Sequence, residues 1–361
     1  MSALFSPFKL RDLTFPNRVF VSPMCEYSSD NGLPNEWHMV HLGSRAVGGA
    51  GLVLTEASGV TPEGRISPQD AGLWSEAHAQ AWAPIVKFIK AQGVAAGMQL
   101  AHAGRKASTF APWRGHGAVP EGCGGWPVLG PSAVKFADSY PQPHAMTEAG
   151  IDACVRAFAD ATHYAQQAGF DVVEIHMAHG YLMHEFLSPL SNQRTDQYGG
   201  ALENRMRLPL RVADTVRKAW PAHLPVFVRI SASDWAEGGW DLVQSIELCK
   251  RMKALGIDLI DVPSGGNVHH QAITLMPGYQ VPFCAKIRDA AAMPASAVGL
   301  ITDAVQAEQI VATGQADAVM LARALLRDPY WPRHAAALLG AQMQPPWPDQ
   351  YQRAVVGPLG K

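Results

Sequence analysis

Val19-Phe20-Val21-Ser22-Pro23-Met24-Cys25 is an apolar, strand-like run that ends in a turn without a glycine. That ending separates the two alternating β/α architectures open to a chain of 361 residues. A doubly wound dinucleotide fold carries G-x-G-x-x-G directly after its first strand, because the backbone there must approach a pyrophosphate. Serine, proline, methionine and cysteine cannot do that, so the barrel is favoured. Outward from the run at 19–22, similar short apolar runs recur at 51–56, 94–100, 171–176, 225–230, 259–263, 295–298 and 318–321. Many are rich in Val, Ile and Leu without clean alternation, as in strands covered on both faces. Helical patterns lie between them at 77–92, 147–169, 203–220, 242–256, 302–313 and 332–339. Thr147, Asp241 and Asp303 stand near helix starts, and Gly169, Gly256 and Gly314 stand where helices should stop. Eight alternating units predict a single-domain (β/α)8 TIM barrel. The Gly- and Pro-rich stretch 109–144 carries Trp113, Trp126, Phe136 and Tyr140 and reads as an ordered capping loop, and 341–361 reads as a C-terminal tail.

Composition narrows the function. Hydrophobic residues make up 48% of the chain, which excludes a disordered protein. Twenty-nine basic residues against 31 acidic ones, with no basic run, argue against a nucleic-acid partner. No stretch approaches roughly 20 consecutive apolar residues, so no membrane span is expected. The opening residues lack a secretory pattern, and the five scattered cysteines contain no C-x-x-C pair. Both point to reduced thiols in a cytoplasmic protein.

In a TIM barrel the chemistry sits where strands run into their following loops. Read as one ring, those positions are Pro23, Met24, Cys25 and Tyr27; Glu56 and Ala57; Gln99, His102, Arg105 and Lys106; His176, His179 and Tyr181; Arg229; Ser264, Gly265 and Gly266; Gly299; and Arg323. The small-residue turns at Gly265-Gly266 and Gly299, with Arg323, fall where this fold usually binds phosphate. Their bland reading is tight turns alone. Gln99 and Arg229 suit hydrogen bonds to a polar heterocycle. His176 and His179, three residues apart, can converge on one ligand oxygen and stabilise developing charge. Tyr181 holds its proton at neutral pH and can give it to a nascent carbanion. Metal ligation is the alternative for the histidines, and a metal-dependent barrel hydrolase would use His176, His179 and His102. His38 and His41 repeat the spacing, and neither pair carries H-E-x-x-H, so no metal is assigned. Cys25 alone reads first as a small buried hydrophobe. A non-catalytic phosphate-ligand module is the remaining class.

At these residues the sequence resembles the old yellow enzyme family of flavin-dependent ene-reductases, in its subgroup of xenobiotic reductases and thermophilic-like enoate reductases. The markers are Pro23-Met24-Cys25-Glu26-Tyr27, Trp37-His38-Met39-Val40-His41, Gly49-Ala50-Gly51 with Thr55-Glu56-Ala57, and Gln99 through Lys106. They continue with His176-Met177-Ala178-His179-Gly180-Tyr181, 191–200, Glu203-Asn204-Arg205, Gly278-Tyr279-Gln280-Val281-Pro282, Ala297-Val298-Gly299 and Ala322-Arg323.

The resemblance implies non-covalent FMN, with Pro23, Met24, Cys25, Ala57, Gln99, His176 and Arg229 around the isoalloxazine ring. Gly265, Gly266, Gly299, Ala322 and Arg323 would surround the phosphate. It implies an NAD(P)H dehydrogenase, using NADPH or NADH, that reduces enones or related electrophiles, nitro compounds among them, by ping-pong hydride transfer. Tyr181 would be the proton donor, with His176 and His179 on the substrate oxygen. Cys25 would tune the flavin, and Tyr27 would contact substrate. Ala322-Arg323 departs from the Gly-Arg of some relatives. Arg353, in a tail similar to the subgroup's, would reach a neighbouring subunit's site in a homodimer or homotetramer, although Val355 stands where some relatives have an aromatic residue.

Overall fold

A computed structural model describes residues 2–355, the Ala354 side chain excepted. Eight strands, β1 (Val19–Val21), β2 (Leu52–Gly59), β3 (Ala95–Ala101), β4 (Val172–Met177), β5 (Val226–Ile230), β6 (Leu259–Val262), β7 (Ala295–Val298) and β8 (Ala318–Leu321), pair in parallel with their sequence neighbours. The barrel closes where β8 returns to β1 in the register Val319↔Val19, Met320↔Phe20 and Leu321↔Val21. The expected (β/α)8 barrel is the fold found.

The outer helices are α1 (Glu36–Val47), α2 (Glu76–Ala91), α3 (Glu148–Ala168), α4 (Leu202–Ala219), α5 (Leu242–Ala254), α6 (Val281–Ala291), α7 (Ala304–Ala312) and α8 (Trp331–Leu338). Their start signals work as expected. Thr147 accepts from the Gly150 N–H, Asp241 from Gln244, and Asp303 from Val305 and Gln306. Such caps contribute roughly 0.5–2 kcal/mol each. Gly169 ends α3 in the left-handed region at φ 88°.

Sequence periodicity missed α1 and α6. In α1 the buried face includes His38, His41 and Arg45, so its polar letters hide an apolar stripe; its start is nonetheless fixed by an Asn35–His38 capping box. In α6, Val281, Cys284, Ile287 and Ala291 face the core. Strand β2 also runs past its expected end to Gly59, because a register shift between Leu54 and Ala57 lets pairing with β3 resume.

Inside the barrel two layers lie one above the other. The lower one is apolar: Phe20, Leu52, Leu54, Val172, Phe227, Leu259 and Met320 pack together. An N-terminal hairpin of Phe8–Leu10 and Leu13–Phe15 plugs it from below. The Phe15 ring lies 4.9 Å from Phe20 and 6.1 Å from Phe227. The upper layer is polar. Gln99 Nε2 donates to Glu174 Oε1 at 2.7 Å, Arg229 pairs with Asp261 at 2.9 Å, and Ser296 donates to Asp261 at 3.2 Å. Above this layer the 109–144 segment holds short ordered pieces, including Leu129–Gly130 paired with His144–Ala145. No helix among the described residues is long and apolar enough to cross a membrane.

Candidate active site

The loops leaving the strand ends are under backbone strain. Tyr27, Ser108, His179, Trp235 and Leu300, which follow β1, β3, β4, β5 and β7, all have φ between 47° and 60°. For side-chain-bearing residues this conformation costs of order 1–3 kcal/mol each and clusters where function over-determines geometry.

His176 ends β4 beside Arg229 of β5, its register partner. The His176 ring lies 5.3 Å from that of His179 and 5.0 Å from that of Tyr181, both edge-on. Burial first, and then the Arg229 charge, hold both imidazoles well below their ordinary pKa, so both are neutral near pH 7. The Ala178 N–H donates to His176 Nδ1 at 3.3 Å, which leaves the proton on Nε2 as a hydrogen-bond donor. Burial pushes the Tyr181 phenol well up, so it keeps its proton. The three groups form one neutral, proton-bearing set.

This set is supported from behind by residues that sequence reasoning did not single out. The His179 N–H donates to Ser231 Oγ at 2.9 Å, and Ser231 Oγ donates to Gly265 O at 2.8 Å. His184 Nδ1 accepts from the Gly180 N–H at 2.9 Å, and its Nε2 meets Asp234 at 2.8 Å with both side chains fully buried. Burial pushes the Asp234 carboxyl up, but His184 and Ser188 outweigh it and hold it below the usual range. A histidine on the first turn of the apolar helix Leu182–Leu187 was the only available signal, and its acid lies about fifty residues on in sequence.

A cleft of about 410 Å³ opens beside the set, lined by His179, Arg229, Gly266, Gly299, Ala322 and Arg323 among others. Gly299 sits at φ 112°, where a Cβ would lie 2.4 Å from Gln280 Nε2, so only glycine fits. Arg323 is exposed and opens the short helix Arg323–Arg327, whose first turn leaves N–H groups free for an anion. No carboxylate pairs with Arg323 among the described residues. The Gly265-Gly266 turn differs from expectation. Its N–H groups are already used, Gly265 toward Ser233 O at 2.8 Å and Gly266 toward Gln271 Oε1 at 2.6 Å. The exposed Arg323 and the Gly299 turn are therefore the groups left to meet an anion, while Gly266 lines the cleft.

Next round the mouth from β8 stand Pro23, Met24 and Cys25 after β1, then Ala57 on β2 and Gln99 on β3, with Ala57 and Gln99 paired in register. Gln99 spends one of its two amide N–H groups on Glu174, which leaves the other as a donor and its carbonyl oxygen as an acceptor. Burial, followed by the nearby Asp70 and Glu56, pushes the Cys25 thiol well up, so it stays protonated and is no nucleophile at neutral pH. Tyr27 meets the capping-loop Trp113 edge-on at 5.5 Å. Cys25, Glu56 and Asp70 gather within 4.8 Å. His102 does not join His176 and His179 in a comparable group among the described residues; its Nδ1 accepts from Gly104 instead. Arg353 is exposed in the turn Asp349–Ala354 and does not line the cleft of its own barrel.

A free cation beside a tight glycine turn, with neutral donors and a heterocycle-sized polar wall nearby, defines a barrel enzyme that seats an anionic, planar cofactor. The residues fit a flavin phosphate at Gly299 and Arg323, and a flavin ring between Gln99, His176 and Arg229. Residues 3–341 match the NADH:flavin oxidoreductase / NADH oxidase family. NADPH dehydrogenase of Geobacillus thermodenitrificans (strain NG80-2) is 48% identical over 354 residues, 98% of each chain. NADPH dehydrogenase of Bacillus subtilis (strain 168) is 46% identical over 352 residues, 97% of this chain and 98% of its own. The solved structure of morphinone reductase superposes with a TM-score of 0.79 at 27% identity, covering 97% of this chain and 93% of that one. The chain belongs to the NADH:flavin oxidoreductase / NADH oxidase family. It is an oxidoreductase whose cofactor is FMN, and the resemblance to old yellow enzymes holds.

Proposed function

We propose that this oxidoreductase reduces the activated C=C bond of α,β-unsaturated carbonyl compounds, and related nitro compounds, with NADPH or NADH as reductant. The observation that carries this reading is the neutral set of His176, His179 and Tyr181 at the edge of the cofactor cleft. FMN, when bound, would supply hydride chemistry here, with the nicotinamide as the source of reducing equivalents. Arg323 and the Gly299 turn would hold its phosphate; Pro23, Met24, Cys25, Ala57, Gln99, His176 and Arg229 would hold its ring. The Nε2–H of His176 and the imidazole of His179 bind the substrate oxygen and stabilise the negative charge that develops there. Neutral donors suit this role, because a permanently charged imidazolium in so buried a site would be costly. Tyr181, kept protonated by burial, delivers its proton to the α-carbon. Tyr27 and Trp113 wall the substrate side. The oxidised nicotinamide leaves before the enone enters the same space, so the cycle is ping-pong. Because the exposed Arg353 stays out of its own cleft, we place it in a neighbouring subunit's site within a homodimer or homotetramer.

The test is optical. Purified protein should be yellow, release FMN on denaturation, bleach with NADPH and regain colour with cyclohex-2-enone. A bleached protein that no enone recolours, while oxygen does, would overturn the ene-reductase reading. Lost colour that added FMN does not restore would remove the assignment of this cleft to the flavin.

A further inference from the structure

Two consecutive cations follow β3, and the proposed chemistry uses neither. Lys106 Nζ donates to His179 O at 2.8 Å and to Gly266 O at 3.0 Å, so one ammonium joins the loops after β4 and β6. It also lies over the Tyr181 ring, 5.1 Å from the centroid, with the Phe136 ring of the capping loop 4.6 Å away. The two loops it joins are pressed together. A Cβ on Gly180 would lie 2.2 Å from Gly266 O, and His179 is held at φ 60°. Arg105 extends the same tie, donating to Asn267 O at 2.6 Å and Val134 O at 3.1 Å. Its backbone N–H donates to the buried Glu185 Oε1 at 2.8 Å.

We infer that Lys106 is a positioning residue of this site: its ammonium locks the His179 and Gly266 turns together and, across the face of the Tyr181 ring, makes that phenol a stronger proton donor. A cation over an aromatic face is attracted to the ring's electrons, and the attraction grows as the phenol gives up its proton. Lysine suits the place because its compact ammonium can reach two carbonyls and still rest on a ring. The proton-donor half of the inference rests on the proposed ene-reductase reaction; the clamp between the loops does not.

The charge is also titratable in a useful range. Burial lowers the Lys106 pKa to about 8, against the opposing pull of Glu185 and with that of Arg105. Glu185 is itself pushed up to about 8 by burial. His176, His179 and Tyr181 face the ammonium from the β4 side and are neutral near pH 7, while Phe136 brings an uncharged ring from the capping loop. The ammonium is therefore charged below pH 8 and loses its charge above it, so proton delivery falls on the alkaline side.

The experiment compares flavin-loaded wild type, Lys106→Met and Lys106→Arg by two readouts. In peptide-resolved hydrogen exchange, Lys106→Met should speed exchange in both 176–181 and 264–267, and Lys106→Arg should restore much of the protection. Unchanged exchange in both loops of Lys106→Met overturns the clamp. The second readout is reoxidation of NADPH-reduced protein by cyclohex-2-enone between pH 6 and pH 10. Wild type should lose rate near pH 8, Lys106→Arg should move that fall upward, and Lys106→Met should be about tenfold slower at pH 7 without the fall. A fall near pH 8 that survives in Lys106→Met overturns the effect on Tyr181. Wild type that no enone reoxidises at any pH breaks the proposed reaction, and with it the donor half, while hydrogen exchange still decides the clamp.

Discussion

At the N-terminal end of the barrel, Phe8, Phe15, Phe20 and Phe227 pack against aliphatic neighbours, closed from below by a hairpin whose turn holds one left-handed residue, Arg11 at φ 52°. At the C-terminal end His176 is buried and His179, Tyr181, Cys25 and Lys106 are half-buried, yet each is titratable and the connecting loops hold strained residues. The same barrel uses burial for opposite purposes. Below, burial removes apolar surface from water and stabilises the fold. Above, burial fixes protonation states: imidazoles stay neutral, and a phenol and a thiol stay protonated. Stability and reactivity should therefore separate by position along the strands.

The largest expected effect is at the mouth. Tyr181→Phe should slow enone reduction by about 10²–10⁴-fold, the usual contribution of a positioned general acid. Flavin reduction by NADPH and the melting temperature should stay near wild type, as stopped-flow spectroscopy and calorimetry would show. Equal slowing of both half-reactions would remove Tyr181 as the acid. The converse change at the bottom is Phe15→Ala. It should cost about 3–5 kcal/mol of stability, the range for a buried phenylalanine, with turnover of the folded fraction unchanged. If turnover fell as far as stability, the two ends would not be separate. A smaller effect tests whether the mouth extends across a subunit boundary. Arg353→Ala should raise the enone KM by about tenfold, as expected for losing one charge-assisted contact of roughly 1.5 kcal/mol, and leave melting unchanged. Dilution of wild type into the monomeric range should raise KM the same way, and identical kinetics in both experiments would confine the site to one chain.

Much of the fold was legible because the barrel strands are short, apolar and separated by end signals with direct chemical meaning. Asp241 and Asp303 cap helices through the N–H groups they were expected to bind. The helices that escaped notice show where periodicity fails. His38, His41 and Arg45 occupy buried positions of α1, where His38 meets Glu56 at 3.0 Å, His41 meets Glu26 at 3.3 Å and Arg45 donates to His41 O at 2.7 Å. Buried polar residues look like surface until their partners are known. The ring of candidate side chains was legible for a related reason: a parallel barrel places every strand's carboxyl end on one face, so listing those ends lists the mouth. What each polar group was committed to was not. Gly265 and Gly266 illustrate this, since their N–H groups answer to Ser233 and Gln271 instead of standing free.

The sequence by itself determined the barrel, the face on which chemistry occurs, and the residue types present there, because strand count, turn chemistry and residue identity are local properties. Only the tertiary structure decided their state. Neutral histidines, a protonated thiol, the His184–Asp234 support and the grip of Lys106 on two loops all depend on groups far apart in the chain. Burial and charge act through space, and distances between loops exist only after the barrel has closed.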